Sequence, residues 1–195
     1  MPVTRNPQLV PRLKSELLRM ARHLEESTHI RHDEDGAILS VLVGFFMLRK
    51  LIQDKHVTKK TTSLKLEVFK CDFNDAYDAD NRRWIETGDG VIPATYSRIA
   101  TKLAARTIAN KFIHAGYCVP LLTRDYEENM GQKEPFCEST HEFLVLEESA
   151  LRDGLYHEAL AVPVSAVVAL FKTAAADDSN AFKGESAYDS KPSTT

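Results

Sequence analysis

Val10, Leu13, Leu17, Met20 (or Ala21) and Leu24 recur at three- and four-residue steps, while Arg12, Lys14, Arg19 and Arg22 fall on other faces. This spacing predicts one apolar stripe along a helix of about twenty residues. Asn6-Pro7 supplies its cap and first-turn proline. Asp33-Glu34-Asp35 then offers the negative charge that suits a helix N-terminus. The run that follows, Ala37 to Ile52, is apolar on nearly every side. It predicts a central helix covered by neighbours and folded against the first as an antiparallel hairpin.

Beyond it the period changes. Ser63 to Cys71 sets Leu64, Leu66 and Val68 against Lys65, Glu67, Phe69 and Lys70, the pattern of a half-exposed strand. Residues 72–94, rich in Asp, Asn and Gly, read as a long surface loop pinned by Trp84 and Ile85. Thr95 to Ala115 reads as a third helix closed by Gly116. Tyr117 to Leu122 is a short extended piece interrupted by Pro120, and Asp125 to Pro135 a polar loop. His141–Leu146 and Leu155–Val162 are strands joined through Arg152-Asp153-Gly154 as a hairpin. Pro163 opens a short apolar helix, Val164 to Ala176, and Asp177 to Thr195 holds little to bury, as in a disordered tail.

These elements predict an α+β, mainly helical fold: an antiparallel helix bundle with a small antiparallel β-sheet, in one domain over residues 1–176. A chain of 195 residues, 43% apolar and 27% charged, has room for a continuous core. Its longest apolar run, Ala37 to Leu48, is about twelve residues where a membrane span needs roughly 20. The polar start Met1 to Asn6 gives no sign of a signal peptide. Cys71, Cys118 and Cys137 lie far apart without CxxC spacing, which suggests reduced thiols in a cytoplasmic protein, not a disulfide framework or a zinc site.

The net charge of −3 does not draw the whole molecule to nucleic acid, but its distribution is uneven. Arg49 to Lys70 carries seven Lys or Arg against Asp54 and Glu67. Ser97 to Ala115 adds Arg98, Lys102, Arg106 and Lys111 with no acid, whereas Asp125 to Asp153 carries nine acids and two bases. The two basic segments, packed together, would form a cationic face for an anion or RNA, with contacts through Arg49–Lys70 and Arg98–Lys111. Alternatively they pair with the acidic segment, within the fold or across a homodimer.

Arg106, Asn110 and His114, four residues apart, form one stripe if 95–115 is helical, and Ile99, Leu103 and Ile113 then fall in the same sector. Polar groups in apolar surroundings are either a satisfied internal network or the lining of a cavity. In the second case His114 would move a proton and Arg106 would stabilise charge on a phosphate. Arg49 and His56, seven apart, would share a side of the second helix if it ran that far; a helix C-terminus also collects such cations for its dipole.

The antiparallel helices and the stretch Arg49-Lys-Leu-Ile-Gln-Asp-Lys-His56 resemble the HEPN superfamily, many of whose ribonuclease toxins and defence proteins carry Arg-x(4–6)-His. Arg106 to His114, with seven residues between, departs from that spacing. The resemblance implies dimerisation, two motifs meeting across the interface and a shared cleft for RNA. FFMLRKLIQDK, ARTIANKFIHAGY and the strand–strand–helix order to about Ala176 are also similar to uncharacterised bacterial proteins with no established activity.

Other constellations carry less. His29, His32 and Asp33 sit where an interhelical turn is expected, and His141-Glu142 and His157-Glu158 are neighbours that a strand points to opposite faces. Asp72, Asp75, Asp78 and Asp80 lack the Gly and Glu of a calcium loop. No P-loop, GxGxxG, HExxH or GxSxG occurs, so nucleotide, zincin and hydrolase chemistries are not expected, nor any metal or cofactor. Two functions remain: a non-catalytic binding or assembly protein, or a metal-independent ribonuclease or RNA-binding component of a toxin or defence system.

Overall fold

A computed structural model describes residues 8–27, 34–74, 84–87, 90–93, 96–129 and 132–178; at 84–87, 91, 122–129 and 132–140 only the backbone is considered. His29, His32 and Asp33 of the expected interhelical turn, most of the calcium-like run, and the tail from 179 lie outside these residues.

Three of the expected helices form. α1 spans Leu9–Ser27 and α2 Glu34–Gln53. His23, late in α1, bonds Ser40, early in α2, through Nδ1 and Oγ at 2.9 Å, as an antiparallel pair requires. The stripe Leu17, Met20, Ala21 and Leu24 is buried. A short α3, Lys59–Thr62, follows, then α4 at Ala105–Ile113 and α5 at Val164–Ala176.

The helix bundle with a small sheet is wrong. The centre of the molecule is a five-stranded antiparallel sheet in the order β4-β1-β9-β6-β5. Its strands are β1 (Lys65–Asp72), β4 (Ser97–Ala104), β5 (Ala115–Asn129), β6 (Gln132–Glu147) and β9 (Glu158–Pro163). A second sheet, β2-β3-β8-β7, is built from Trp84–Thr87, Gly90–Pro93, Leu155–Tyr156 and Leu151–Arg152. Helices cover one face of the large sheet and the small sheet covers the other. Phe143 and Val145 pack with the helices while Leu144 and Leu146 join Ile92 and Tyr156 on the opposite side. A strand buried on both faces shows a continuous apolar run in place of alternation.

Several local expectations change with it. The supposed helix 95–115 is a strand for its first half, because Ser97–Ala104 pairs along its whole length with β1. Ile99 and Leu103, one helical sector apart at four residues, are equally on one face of a strand. The loop of 72–94 contains the β2–β3 hairpin, and the loop of 125–135 is the end of the long β5–β6 hairpin. Pro120 does not stop β5, since an edge strand can leave a proline's missing donor outward. His141–Leu146 does pair antiparallel with the end of the expected Leu155–Val162 strand, through Glu142–Val145 against Leu160–Pro163, but the Asp153-Gly154 turn, both residues at positive φ, closes only the small β7–β8 hairpin between them. α2 is not covered all round: Leu39 and Phe46 are 63% and 67% exposed. Among the described residues, no helix is long and apolar enough to cross a membrane.

Candidate anion-binding cleft

The C-terminal turn of α2 packs beside α4, and this packing brings the two sequence constellations together. Arg49, Ile52, Gln53 and Lys55 from the α2 end line a cleft of about 410 Å³ with Arg106, Ala109 and Asn110 of α4. Arg49 is half-buried; Lys55, Arg106 and Asn110 are exposed at the rim. The apolar surroundings expected for the Arg106–Asn110–His114 stripe are therefore absent.

Each position has a local cause. α2 ends at Gln53, and the chain turns so that the Lys55 N–H donates to the Ile52 carbonyl and the His56 N–H to that of Leu51. This pair of bonds is the Schellman closure, whose turning residue adopts the left-handed conformation, usually as glycine. Here it is Lys55, at φ 59°. His56 consequently lies past the helix end and does not share a helix face with Arg49. Cations at this terminus suit the negative end of the α2 dipole. Lys50 is neutralised by Asp54 at 3.0 Å.

Arg106 has no such excuse. It occupies the first turn of α4, where a helix dipole disfavours positive charge. That turn holds no acid, and the preceding Ala104 offers no side-chain cap. His114 is the C-terminal cap of α4, its N–H donating to the Asn110 carbonyl at 3.0 Å, and it does not line the cleft.

Both charge readings have a share in the structure. The acidic segment does neutralise part of the second basic segment. Arg98 donates to Glu142 at 2.6 Å and lies over the Phe69 ring, and Lys111 pairs with Glu147 at 2.5 Å. The hydrogen bond to Glu142 raises the Arg98 pKa further. The basic segments also pack on each other, through β1 on β4 and α2 beside α4. No carboxylate among the described residues pairs with Arg49, Lys55 or Arg106. Around the cleft the charge continues. α3 packs against α4 and presents Lys59 and Lys60, while Lys65 opens β1 opposite Ala104, two residues before Arg106.

Three cations and two amides converging without an acid form a receptor for an oxyanion, since guanidinium groups match phosphate oxygens in pairs. The lining contains no imidazole, carboxylate or thiol, the usual carriers of a proton at neutral pH. Thiol chemistry is remote from it as well. Burial pushes Cys71 up to about 11 and Cys118 to about 12, away from the reactive thiolate. Sequence reasoning singles out Arg49, Arg106 and Asn110 individually and reaches Lys55 only as one of the seven cations of Arg49–Lys70; Gln53 it misses, and the place of both depends on how α2 ends. No protein-family model, curated protein or solved structure matches the chain.

Proposed function

We propose that the protein is a non-catalytic, cytoplasmic RNA-binding component that seats a backbone phosphate in the cleft between α2 and α4. The observation that carries this reading is Arg106: a cation in a helix turn that disfavours it, facing two further cations with no counter-ion among the described residues. Such an arrangement costs stability in the free protein, and an anion repays it. The exposed Lys59, Lys60 and Lys65 extend the positive surface beyond one phosphate, which favours a polyanion over a single small ion. Binding without cleavage is the better reading, because neither His56 nor His114 lines the cleft.

The test is fluorescence anisotropy with labelled single-stranded RNA at several salt concentrations. Affinity should fall with salt, each phosphate contact adding about 0.7 to the slope of log affinity against log salt. The triple variant Arg49→Gln, Lys55→Gln, Arg106→Gln should lose most of the binding and about two to three contacts from that slope. Equal binding by the triple variant would end the proposal. Metal-free cutting of the RNA that His56→Ala or His114→Ala abolishes would replace it with a ribonuclease, and loss with His56→Ala is the outcome that the HEPN resemblance implies.

A further inference from the structure

The large sheet ends in two unlike edges. β5, at one side, contains Pro120, which has no N–H to offer, and its ladder with β6 is interrupted at Ala115/Tyr117, Leu121/Leu122 and Asp125/Tyr126. Prolines and bulges are how an edge is closed to another strand. β4, at the other side, has neither. Its register runs unbroken from Lys65↔Ala104 to Asp72↔Ser97. Ser97 to Ala100 are all exposed, and Ile99 keeps 64% of its surface in water.

The phase of this ladder says which groups are open. The Ala105 N–H donates to the Leu64 carbonyl at 2.8 Å, so odd-numbered residues of β4 bond inward to β1. The N–H and C=O groups of Arg98, Ala100 and Lys102 then point away from the sheet, as does the N–H of Ala104, whose carbonyl as the cap residue begins α4. The two charges on β4 do not guard this edge, for Arg98 is drawn to Glu142 and Lys102 lies 3.3 Å from Glu67.

We infer that β4 pairs antiparallel with β4 of a second copy of this chain, about a two-fold axis at Thr101, joining the two large sheets into one. The two registers that use the open groups and overlap all but one residue of β4 have their axes at Ala100 and Thr101. With the axis at Ala100, Arg98 would lie directly opposite the partner's Lys102, and like charges facing across a ladder are destabilising. With the axis at Thr101, Ile99 faces the partner's Leu103, Lys102 faces the partner's Ala100, and Arg98 faces the partner's Ala104. The exposed Ile99 is covered and no charge opposes its like. This inference is independent of the cleft and of any bound RNA.

Sedimentation velocity across a concentration series tests it, with expected conversion from monomer to dimer. Ala100→Pro removes only an outward N–H, leaves the β1 ladder intact, and should give a folded monomer with an unchanged circular dichroism spectrum. Thr101→Cys places two thiols at a non-hydrogen-bonded pair with Cα atoms about 4.5 Å apart, within disulfide range. Under mild oxidation it should yield a covalent dimer that the parent chain does not. If Ala100→Pro fails to fold, the cysteine trap decides alone. A monomer at every concentration would overturn the inference. So would a dimer that Ala100→Pro leaves intact and Thr101→Cys does not trap.

Discussion

Lys55 shows how one residue carries two opposed requirements. Its backbone is left-handed, a conformation that costs a side-chain-bearing residue about 1 kcal/mol relative to glycine. Its ammonium stands at the mouth of a cleft that already holds Arg49 and Arg106. Lys55→Gly should therefore stabilise the fold by about 1 kcal/mol, a rise of about 2–4 °C in melting temperature for a chain of this size, while weakening RNA binding. Thermal melts and anisotropy on the same preparation check both halves, and a lower melting temperature would contradict the strain. Lys55 was legible as a cation of the Arg49–Lys70 segment but not as the turning residue, because glycine, the usual signal of this turn, is missing. Arg49, Arg106 and Asn110 were legible as polar residues on helices. Their convergence was not, since it depends on two helix segments meeting in three dimensions.

At the scale of elements, the long helices and the apolar strand segments of β1, β5, β6 and β9 were readable, whereas β4, the β2–β3 hairpin and the polar ends of β5 and β6 were not. α1 and α5 announce themselves by periodicity and by proline at the start, features that need no partner to be recognised. β4 contains two alanines among eight residues and only gains its conformation by lying beside β1. Intrinsic preference yields to pairing there. Among the described residues the polar ends of β5 and β6 pair with each other beyond the reach of β9, and their sequence carries no apolar alternation to announce a strand. Where α2 meets α5 the contact is tight. A methyl group on Gly44 would lie 2.2 Å from the ring of Phe171, which itself packs edge-on against Phe45. Phe45 in turn stacks on Phe112 of α4 at 4.1 Å. Gly44→Ala should thus destabilise by about 1–3 kcal/mol through overpacking. That is a drop of several degrees in melting temperature, measurable by circular dichroism. An unchanged melt would mean that the aromatic cluster can shift.

For the whole molecule, the end of α5 is tied back to its start. Asp177, expected in the tail, accepts from the Thr58 N–H and hydroxyl, both at 2.8 Å, and from the Thr61 hydroxyl; the Lys14 ammonium donates to the Asp177 carbonyl. One residue thereby fastens α1, α3 and α5. Burial pushes its carboxyl pKa up, but the bonds from Thr61 and Thr58 and the charge of Lys14 outweigh this and hold it below the usual range. A carboxyl lowered on folding stabilises fully above its unfolded value of about 4, and that contribution drains away as pH falls through the folded value. Asp177→Asn should lower stability at neutral pH by about 1–2 kcal/mol and flatten the acid limb of a plot of melting temperature against pH. Parallel acid limbs in the two proteins would refute this.

β6 presents Phe143, Leu144, Val145 and Leu146 to two different cores. Sliding such a strand by one place would merely exchange greasy neighbours, so hydrophobicity alone cannot choose its alignment. Glu142, next in line, can: a misaligned strand would strand its carboxylate in oil, away from the guanidinium of Arg98 that reaches across the sheet to meet it. Among the described residues Glu142 is the one charged side chain that is buried, and it serves as the index mark of its layer.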